Sequence, residues 1–491
     1  RAYEDIIQNK TYSIENFVEN FDESLLNGFK NKNIYQSEKS IYGIEKTNVA
    51  MLIGHKPDID PRLDWVSKYA GENIRIIQFG CLQGENAPEE VFLKDGRCIF
   101  QKQRYLNNFI NQNQWTEEKQ EFDVLIDKWF GYAIDSKSEI AINAMYKICW
   151  LSRLSKYNDE DLNNAVKGNG EVRYIRWYID YFIETAITLL ENVSRFKTFN
   201  SIISVDLDTL LPGIVLKGIY NIPLIYDAHE FWPESNWMNQ EFETAFLKSL
   251  EFQLLKEVDY CQTVTKELAK DLYEIYDKEF GFVPNCSPKS DSYKINKFTN
   301  KLSQDGNLYF LFQGGIAPGR NLENLCRIWN QTNNKKAILL IRGPESELKK
   351  ELREIIKTTY LNTNDNRIML LDPVKENELI EKAKEADIGL ITYSVESKNY
   401  LNASPNKLCQ YFAAKIPVVS TKLNHVESII MEANAGKCID INNLDSLNNM
   451  IDFYFNNREE IKKQGENGYK AYIDYYNWEN VSKSLYKKIE E

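Results

Sequence analysis

The sequence predicts an α/β protein made of two doubly wound, Rossmann-like domains that face each other across a cleft. Short apolar segments alternate with helical segments, first over residues 46–295 and again over residues 296–470. Alternation of this kind predicts parallel sheets covered by helices on both faces. The length of 491 residues also favours more than one domain, because so long a chain rarely folds around a single hydrophobic core. Ligands of such sheets bind beyond the carboxyl ends of the strands.

The first domain opens with a βαβ unit. Asn48–Gly54 is an apolar run that ends in glycine, and Ile74–Phe79 is the next strand. Pro61 begins the helix between them, since the first helical turn has no partner for the N–H group that proline lacks. Further strands of this domain are predicted at Ile202–Val205, Pro223–Tyr226, Tyr260–Val264 and Phe280–Pro284.

A second series of strands and helices predicts the second domain. Its strands are predicted at Leu308–Phe312, Ala337–Ile341, Arg367–Leu371, Ile388–Ile391, Pro417–Val419 and Lys437–Asp440. The polar stretch Asn285–Gly306 is the best candidate for the linker between the domains. Residues 1–45 are polar with weak helical periodicity, which predicts a helical prefix or linker.

Residues 103–198 predict a helical insertion in the first domain. Its clearest helix is Val172–Val193, where apolar residues recur at helical spacing. Two interpretations of this stripe are open: a packed core face, which is favoured, or contact with a membrane or a lipid-linked acceptor. The aromatic residues concerned are Tyr174, Trp177, Tyr178, Tyr181 and Phe182.

Composition narrows the class of protein. The net charge of -12 argues against nucleic acid as the main partner, because binding to a phosphate backbone needs basic surface. No apolar run approaches the roughly 20 residues that cross a bilayer, and no signal peptide is visible. The eight cysteines show no Cys-x-x-Cys spacing, so we expect free thiols and no metal site. These features predict a cytoplasmic protein and leave association with the inner face of the membrane open.

The segment that begins Ser404-Pro405-Asn406-Lys407 predicts the start of a helix beside a ligand. Serine is a good N-cap and proline suits the first helical position. The free N–H groups of that turn favour an anion, and Lys407 adds positive charge. An ordinary capped helix with a surface lysine is the alternative.

A glycine-containing loop follows the first strand of the second domain. Gly314 and Gly315 would let the backbone approach a ligand closely, and Arg320 precedes a helix predicted over Asn321–Asn330. The spacing is not that of the P-loop, so two glycines alone indicate a phosphate site only weakly.

Two of the three histidines follow strands of the first domain. His55 follows the first strand, and His229 stands beside Glu230 at the end of the strand Pro223–Tyr226. Asp206 and Asp208 follow the strand between these two. Their Asp-x-Asp spacing could suggest a divalent metal, but a structural or substrate-contact role without metal is favoured.

Taken together, these motifs resemble the retaining family 4 glycosyltransferases of GT-B fold. The resemblance begins near residue 46 and runs to the end of the chain. It rests on the following runs: Asp58–Arg62, Asp206–Pro212, Pro223–Glu234, Gln313–Arg320, Ser404–Leu408 and Pro417–Val419. Residues 471–491 resemble the family's C-terminal helix, which crosses back to the first domain.

The resemblance implies transfer of a sugar from a nucleotide-diphosphate sugar to a glycan, lipid-linked or protein acceptor, without a cofactor or metal. The second domain would hold the donor, with its base near Arg342, Pro373 and Val374 and its phosphates at the glycine loop and at Ser404. The implied catalytic residues are His229, Arg320 and Lys407. The implied donor contacts also include Gly314, Gly315, Asn402, Pro405, Asn406 and Gln410, and the acceptor side would include His55, Asp208 and Glu230.

The sequence departs from the family pattern at several positions. Asn402 and Gln410 stand where the family often has two glutamates; both amides can hydrogen-bond, but neither carries charge. Gly315 stands where the first residue of a basic pair is usual, and Lys415 replaces a small residue. The departures leave a second hypothesis open, a GT-B module that binds a glycan or a partner without turnover. A GT-B epimerase is less favoured, because no carboxylate set suits proton abstraction at a sugar carbon.

Overall fold

The computed structural model describes residues 46–57, 60–84, 86–104, 115–154, 173–196, 198–235, 241–289, 306–363 and 365–491. Within the helices, residues 115–121, 173–177, 242 and 362–363 are described for their backbone only. The prefix predicted at residues 1–45, most of the predicted linker and the junction at 295/296 lie outside these ranges. Thr47–Glu491 form one compact unit.

The first sheet has eight strands in the order β3-β4-β2-β1-β5-β6-β7-β8. All neighbours pair in parallel except β3, which is antiparallel to β4. Its strands are β1 (Thr47–Leu52), β2 (Ile74–Leu82), β3 (Glu90–Phe92), β4 (Cys98–Gln103), β5 (Ser201–Val205), β6 (Leu224–Ala228), β7 (Tyr260–Thr263) and β8 (Phe280–Phe282). Apart from the antiparallel edge strand β3, the strand order is that of a doubly wound sheet.

The hairpin of β3 and β4 is an element that the sequence analysis did not predict. Both strands carry polar residues at several positions, which weakens the apolar signal. Asp95 and Gly96 form the turn, with Gly96 at φ +84°, and the N–H of Leu93 donates to the carbonyl of Arg97. An Asp-Gly pair is a recognised hairpin signal, so the turn was visible in the sequence.

Within the described residues, seven α-helices lie between the first and the last strand of this sheet in the sequence. They are α1 (Pro61–Lys68), α2 (Trp115–Asp135), α3 (Glu139–Leu154), α4 (Arg173–Val193), α5 (Leu210–Tyr220), α6 (Glu241–Leu254) and α7 (Lys266–Tyr276). Helices α2, α3 and α4 lie in the region where the sequence predicted a helical insertion. Asp60 caps α1 by accepting the N–H of Arg62 at 2.9 Å.

The stripe on α4 packs into the core where its side chains are described. Tyr178 and Phe182 are buried among the helices and strands of the first domain. Tyr181 is half-buried and stacks with Trp232, with ring centroids 6.3 Å apart. The side chains of Tyr174 and Trp177 lie outside the described residues. Within the described ranges, no helix is both long enough and apolar enough to cross a membrane.

The second sheet has six parallel strands in the order β11-β10-β9-β12-β13-β14. The strands are β9 (Leu308–Gln313), β10 (Ala337–Arg342), β11 (Ile368–Leu371), β12 (Ile388–Ile391), β13 (Val418–Ser420) and β14 (Gly436–Cys438). The helices that follow are α8 (Leu322–Trp329), α9 (Glu347–Thr363), α10 (Leu379–Ala383), α11 (Lys398–Leu401), α12 (Asn406–Ala413), α13 (Asn424–Ala433), α14 (Leu444–Asn456), α15 (Arg458–Asp474), α16 (Trp478–Val481) and α17 (Lys483–Glu490).

The second sheet has a hydrophobic core on each face. Along β9, Leu308, Phe310 and Phe312 belong to one core, whereas Tyr309 and Leu311 belong to the other. Successive side chains of a strand point to opposite faces, so both faces of β9 are covered. The apolar run of this strand is therefore explained by burial on both sides.

Helices α16 and α17 pack against the first sheet. Trp478, Leu485 and Ile489 share a core with residues of β1 and α1, including Val49 and Leu63. The hydroxyl of Tyr486 also donates to a backbone carbonyl of α1, that of Val66, at 3.0 Å.

Candidate active site

The candidate site lies where the second sheet reverses its strand order. Strands β9 and β12 are neighbours there, and the chain leaves each of them toward a different side of the sheet. A crevice opens beyond the carboxyl ends of two such strands. The loop after β9 carries Gly314 and Arg320, and the residues after β12 include Tyr393.

Gly314 brings its backbone close to Lys407. Its φ of +125° is a conformation that residues with a side chain rarely adopt. A Cβ atom at this position would lie 3.4 Å from Lys407 Cε and 3.5 Å from Nζ. The N–H of Gly314 donates to the carbonyl of Arg342 at 3.0 Å, while Gly315 is exposed with open space beside it. The glycine loop therefore borders the lysine directly.

Arg320 and Lys407 flank the ring of Tyr393. The guanidinium carbon of Arg320 lies 3.7 Å from the ring centroid, and Lys407 Nζ lies 4.7 Å from it. Lys407 also donates a hydrogen bond of 3.3 Å to the phenol oxygen and lies 4.1 Å from the centroid of Phe312. One aromatic residue thus contacts both cations.

Neither cation has a carboxylate within ion-pair distance in the described part of the chain. Nη1 of Arg320 is buried and has no hydrogen-bond partner among the residues that the structure describes, and Lys407 is only 5% exposed. An unpaired charge removed from water is costly, so these two residues favour a bound anion. The arrangement fits phosphate oxygens, which arginine can contact through two N–H groups at once.

Burial lowers the pKa of Lys407 to about 8, and the positive charge of Arg320 acts in the same direction. Tyr393 opposes this shift through its oxygen. Burial raises the pKa of Tyr393 itself, but the charges of Lys407 and Arg320 outweigh it and the net shift is downward. A bound anion would favour the charged form of the lysine.

The start of α12 differs from the prediction made for it. The helix begins at Asn406, with Pro405 in extended conformation just before it and no side-chain cap. The Ser404 hydroxyl is buried and accepts the N–H of Asn285, at 2.9 Å, instead of an N–H of its own helix. The predicted N-cap role of Ser404 is therefore wrong, because that oxygen joins the second domain to the segment after β8.

Asn402 and Gln410 are both held by protein groups. Asn402, 2% exposed, donates to Asp271 at 2.8 Å and accepts from Asn424 at 2.8 Å. Gln410 accepts a hydrogen bond of 3.1 Å from Gln313. Asn402 thus joins the two domains, whereas Gln410 bonds to Gln313, the residue just before the glycine loop.

The residues predicted near a base occupy the ends of β10 and β11. Arg342 is buried, donates to the carbonyl of Lys382 at 3.1 Å and pairs with Glu385 at 2.9 Å. Pro373 is exposed and Val374 is half-buried in the loop after β11. The side chain of Arg342 therefore anchors the end of α10, while the loop remains accessible.

The loop with Pro373 and Val374 continues to Glu376, an exposed residue. Partial burial of its carboxyl raises its pKa to about 7, and the negative charges of Asp64 and Asp60 add to this shift. Both aspartates belong to the first domain, so charges of the first domain act on this loop of the second.

On the first domain, His229 lies in a network of charged residues at the end of β6. Its Nδ1 is 3.2 Å from Asp60 Oδ2, and its Nε2 is 3.2 Å from Asp227 Oδ2. Arg62 Nε lies 3.0 Å from the same Nε2. The neutral ring would accept from Arg62, whereas the charged ring donates to both carboxylates.

The charged form of His229 is favoured. Burial lowers the pKa of the imidazole, but the charge of Asp227 and the hydrogen bonds of Asp227 and Asp60 raise it to about 10, against the opposing charge of Arg62. Burial raises the pKa of Asp227, but the charges of Arg62 and His229 outweigh this effect and hold that pKa well below its usual range.

Asp206 and Asp208 serve the structure of the first domain. Asp206 has φ +60°, and its carboxylate accepts the backbone N–H of His229 at 2.8 Å. Asp208 accepts from the hydroxyl of Tyr181 at 2.9 Å and fills the space that a Cβ at Gly54 would need. Burial raises the pKa of both carboxyls.

His55 and Glu230 lie nearer the cleft. The ring of His55 is half-buried, with Nδ1 2.9 Å from the carbonyl of Lys56. Glu230 accepts from Asn399 of the second domain at 3.3 Å. Burial raises the pKa of Glu230, against hydrogen bonds from Asn399 and the charges of His229 and Arg320. Groups from both domains therefore act on the carboxyl of Glu230.

Further contacts join the domains around the cleft. They include Thr265 Oγ1 to the carbonyl of Asn402 (2.9 Å), Asn399 Oδ1 to the N–H of Phe231 (2.9 Å), and His425 Nδ1 to Glu267 Oε2 (3.3 Å). Each of these contacts pairs an element of the first domain with one of the second.

Two residues of the site were not among the predicted site residues. Tyr393 follows β12 by two positions, and the strand order that brings it beside Gly314 was not available from the sequence. Arg62, in the first turn of α1, belongs to the run Asp58–Arg62 that carried part of the family resemblance, but its partners are distant in sequence. The carboxyl ends of neighbouring strands were the signal that could have found Tyr393.

Residues 294–471 match a family model described as Glycosyl transferases group 1, a match that spans less than half of the chain. No curated protein sequence is significantly similar to the chain. Sucrose-phosphate synthase from Thermosynechococcus elongatus is a similar solved structure, with 11% identity and a TM-score of 0.60 over 91% of this chain and 99% of that one.

Anabaena HepE, solved in complex with UDP and glucose, has 10% identity and a TM-score of 0.58, over 91% of this chain and 100% of its own. The fold is GT-B. α,α-Trehalose 6-phosphate synthase from Burkholderia multivorans is also similar, at 9% identity and a TM-score of 0.54 over 91% and 96% of the two chains. The predicted fold class is confirmed, and at these identities the likeness concerns the fold alone.

Proposed function

We propose that this protein is a glycosyltransferase that moves a sugar from a nucleoside-diphosphate sugar to an acceptor hydroxyl with retention of configuration. The observation that carries the proposal is a pair of cations, Arg320 and Lys407, that have no carboxylate partner among the described residues and lie beside Gly314 at the reversal of strand order. A diphosphate supplies the charge and the acceptor oxygens that these residues lack. The match of residues 294–471 to group 1 glycosyl transferases and the fold shared with HepE, solved with UDP and glucose, support this substrate class.

Departure of the diphosphate is the step to which the two cations would contribute most. As the bond between the anomeric carbon and the phosphate oxygen breaks, negative charge grows on the leaving group. Arg320 can offer two N–H donors to it, Lys407 offers its ammonium group, and the first turn of α12 offers free backbone N–H groups. Fixed donors aimed at developing charge are often the largest contribution to catalysis.

The acceptor would react on the face that the diphosphate leaves. Its hydroxyl oxygen forms the new bond to the anomeric carbon, and its proton passes to the departing phosphate oxygen. His229 would orient the sugar, with Glu230 and His55 nearer the acceptor. A glycan, a lipid-linked sugar or a protein hydroxyl are the acceptor classes considered, and no metal takes part in the proposed steps.

Nucleotide selection would fall to the accessible loop at Pro373 and Val374 and to Gln410. The side chain of Gln410 carries both a donor and an acceptor, so it can contact a ribose hydroxyl without the negative charge of a glutamate. Gln313 already occupies its oxygen at 3.1 Å. The amide nitrogen would therefore make the proposed contact.

A GT-B module that binds without turnover is the second candidate function. It is favoured by one observation, the engagement of Asn402 by Asp271 and Asn424 at the position where relatives often carry a glutamate that touches the sugar. Such a protein would bind a glycan or a partner in the same cleft.

A panel of nucleotides and nucleotide sugars tests both candidates. Thermal unfolding in the presence of UDP-, GDP-, ADP- and CMP-sugars should show stabilisation by at least one donor, followed by product detection with simple sugar acceptors. Arg320→Ala and Lys407→Ala should each weaken binding by about tenfold to a hundredfold, because a hydrogen bond to a charged group contributes about 1.5–3 kcal/mol. The matched control is Lys357→Ala, which removes a largely exposed lysine of α9.

The outcomes separate the candidates. Stabilisation together with a new glycosidic bond of the donor's configuration supports the first proposal. Stabilisation without transfer or hydrolysis favours the second. Failure of every donor to bind would overturn the proposed function, and unchanged binding in both cation variants would remove the role given to Arg320 and Lys407.

A further inference from the structure

Arg62 is the most heavily engaged side chain near His229. It lies in the first turn of α1 and is 1% exposed. Its three nitrogens lie against two parts of the first domain, the end of β6 and the segment after β8. The contacts are Nε to His229 Nε2 (3.0 Å), Nη1 to the carbonyl of Val283 (2.6 Å) and to Asn285 Oδ1 (2.9 Å), and Nη2 to Asp227 Oδ1 (3.0 Å) and Oδ2 (3.2 Å).

A buried ion pair alone would account for only part of this arrangement. Asp227 satisfies the charge of Arg62 and also accepts from the charged ring of His229, so one carboxylate holds both cations. Nη1 of Arg62 then reaches the segment Val283–Asn285, which leads out of β8 toward the second domain. The rigid fork of a guanidinium can hold several acceptors in fixed directions, which a lysine cannot do.

Asn285 extends the contacts of Arg62 to the second domain. Its side-chain oxygen accepts from Arg62, and its backbone N–H donates to the Ser404 hydroxyl at 2.9 Å. Ser404 precedes α12, the helix that carries Lys407. A series of hydrogen bonds therefore runs from His229 through Asp227, Arg62 and Asn285 to Ser404, just before the helix of the candidate phosphate site.

Trp478 covers the outer side of the arginine. The guanidinium carbon lies 5.6 Å from the Trp478 ring centroid, and Trp478 is fully buried. The ring also excludes water from the donors of Arg62, and hydrogen bonds in such an environment hold their geometry more strongly. Arg62 thus contacts residues from three distant parts of the sequence.

We propose that Arg62 is a positioning residue that fixes His229 relative to the segment Val283–Asn285, so that the docking of Ser404 on Asn285 sets where the histidine stands. The inference rests on the proposed function for the role of His229. It adds to that function a physical connection between the first-domain histidine and the donor side of the cleft.

Two variants weaken the connection at different points. Arg62→Lys keeps the charge opposite Asp227 but cannot reach all partners of the guanidinium. Asn285→Ala removes one acceptor and leaves the contacts of Arg62 with Asp227 and His229 in place. We expect kcat to fall by about tenfold or more in Arg62→Lys, with a smaller fall in Asn285→Ala, because small misplacement of a reacting group has effects of this size.

The KM for the donor and the affinity for the free nucleotide should change little in both variants, since neither residue belongs to the proposed phosphate site. Asn285→Asp keeps an oxygen acceptor and the backbone N–H, so it should restore most of the lost kcat. Asn324→Ala is the matched control, because among the described residues the Asn324 amide bonds only to exposed Asn442, outside the series of contacts from His229 to Ser404.

Nuclear magnetic resonance of the imidazole groups supplies a readout that needs no turnover. The chain has three histidines, so the signals of His229 can be assigned by substitution. In substrate-free protein, Asn285→Ala and Arg62→Lys should shift the His229 ring signals and leave those of His55 in place. Arg62→Gln should raise the pKa of His229 further, because the arginine charge lowers it.

The result that overturns the inference is a His229 spectrum unchanged in Arg62→Lys and Asn285→Ala, or equal kcat in these variants and the wild type. If Arg62→Lys does not fold, Asn285→Ala alone decides the outcome. A wild type without turnover, whose His229 signals still respond to Asn285→Ala, would overturn the proposed function and leave the positional role of Arg62 supported.

Discussion

The guanidinium group of Arg320 stacks on the ring of Tyr393, and the hydroxyl of the same tyrosine accepts a hydrogen bond from Lys407. Tyr393 thus holds two cations near each other where neither has a carboxylate partner among the described residues. Its ring offers a negative π-face to one and its oxygen a lone pair to the other. The tyrosine therefore sets the spacing of the candidate anion site.

Replacing Tyr393 by phenylalanine should change how nucleotide binding depends on pH. Tyr393→Phe keeps the ring under Arg320 but removes the oxygen that raises the pKa of Lys407, so that pKa should fall below about 8. Affinity for UDP requires the charged lysine and should decline at lower pH than in the wild type. Calorimetric titration from neutral to alkaline pH measures this, with Tyr360→Phe as the control. Equal pH profiles for Tyr393→Phe and wild type would contradict it.

The contact between Asn402 and Asp271 should tolerate no added negative charge. In Asn402→Asp, a carboxylate would replace the amide that donates to Asp271 at 2.8 Å in a nearly buried position. We expect the free energy of unfolding to fall by about 1–3 kcal/mol, since a buried acceptor loses its donor. Urea denaturation measures the change.

The double variant Asn402→Asp with Asp271→Asn reverses the direction of that hydrogen bond and should recover most of the stability. Lack of recovery would show that Asn402 acts mainly through Asn424. The same pair of variants tests whether a carboxylate at position 402, which the family resemblance implies for this position, is compatible with the domain contacts of this chain.

Removing the ring of Trp478 should destabilise the whole protein. Trp478 is fully buried and packs on Trp65, with ring centroids 5.7 Å apart. Trp478→Ala should lower the free energy of unfolding by about 3–5 kcal/mol, the usual cost of deleting a large buried side chain. Tyr475→Ala, at a position 68% exposed, should change it little. Equal stabilities of the two variants would disprove the docking of the C-terminal helices.

His229 should contribute stability that declines at alkaline pH. Its pKa rises from an ordinary value of 6.5 to about 10 in the folded protein, so the contribution is complete below pH 6.5 and is lost as pH rises through 10. The difference in unfolding free energy between wild type and His229→Gln should therefore shrink across that range. A difference that stays constant or grows with pH would show that the imidazole is neutral in the native state.

The sequence predicted the strands of both sheets well, for identifiable reasons. Burial on both faces of a parallel sheet produces continuous apolar runs such as Leu308–Phe312, and polar loops separate them. Prediction failed where that signal is weak, at the short hairpin Glu90–Gln103. The predicted N-cap role of Ser404 was wrong for a different reason. The hydroxyl of Ser404 had two possible partners, and it accepts the N–H of Asn285 instead of an N–H of its own helix.

The candidate site was less predictable than the fold. Gly314, Arg320 and Lys407 could be named from loop positions and family resemblance, and the structure brings them together. The roles of Tyr393 and Arg62 depend on contacts across long sequence separations, 167 residues for the contact of Arg62 with His229. Such pairings follow from strand order and domain docking, which local patterns do not contain.

The docking of α17 on α1 has a consequence for the order in which the molecule can assemble. The hydroxyl of Tyr486 reaches the carbonyl of Trp65 across 421 positions of the chain, and the entire second domain is encoded between them. During synthesis the surface that receives Trp478 and Leu485 stays uncovered until the second domain has emerged. Contacts of such long range form late, so the first domain reaches its final packing only after its neighbour is complete.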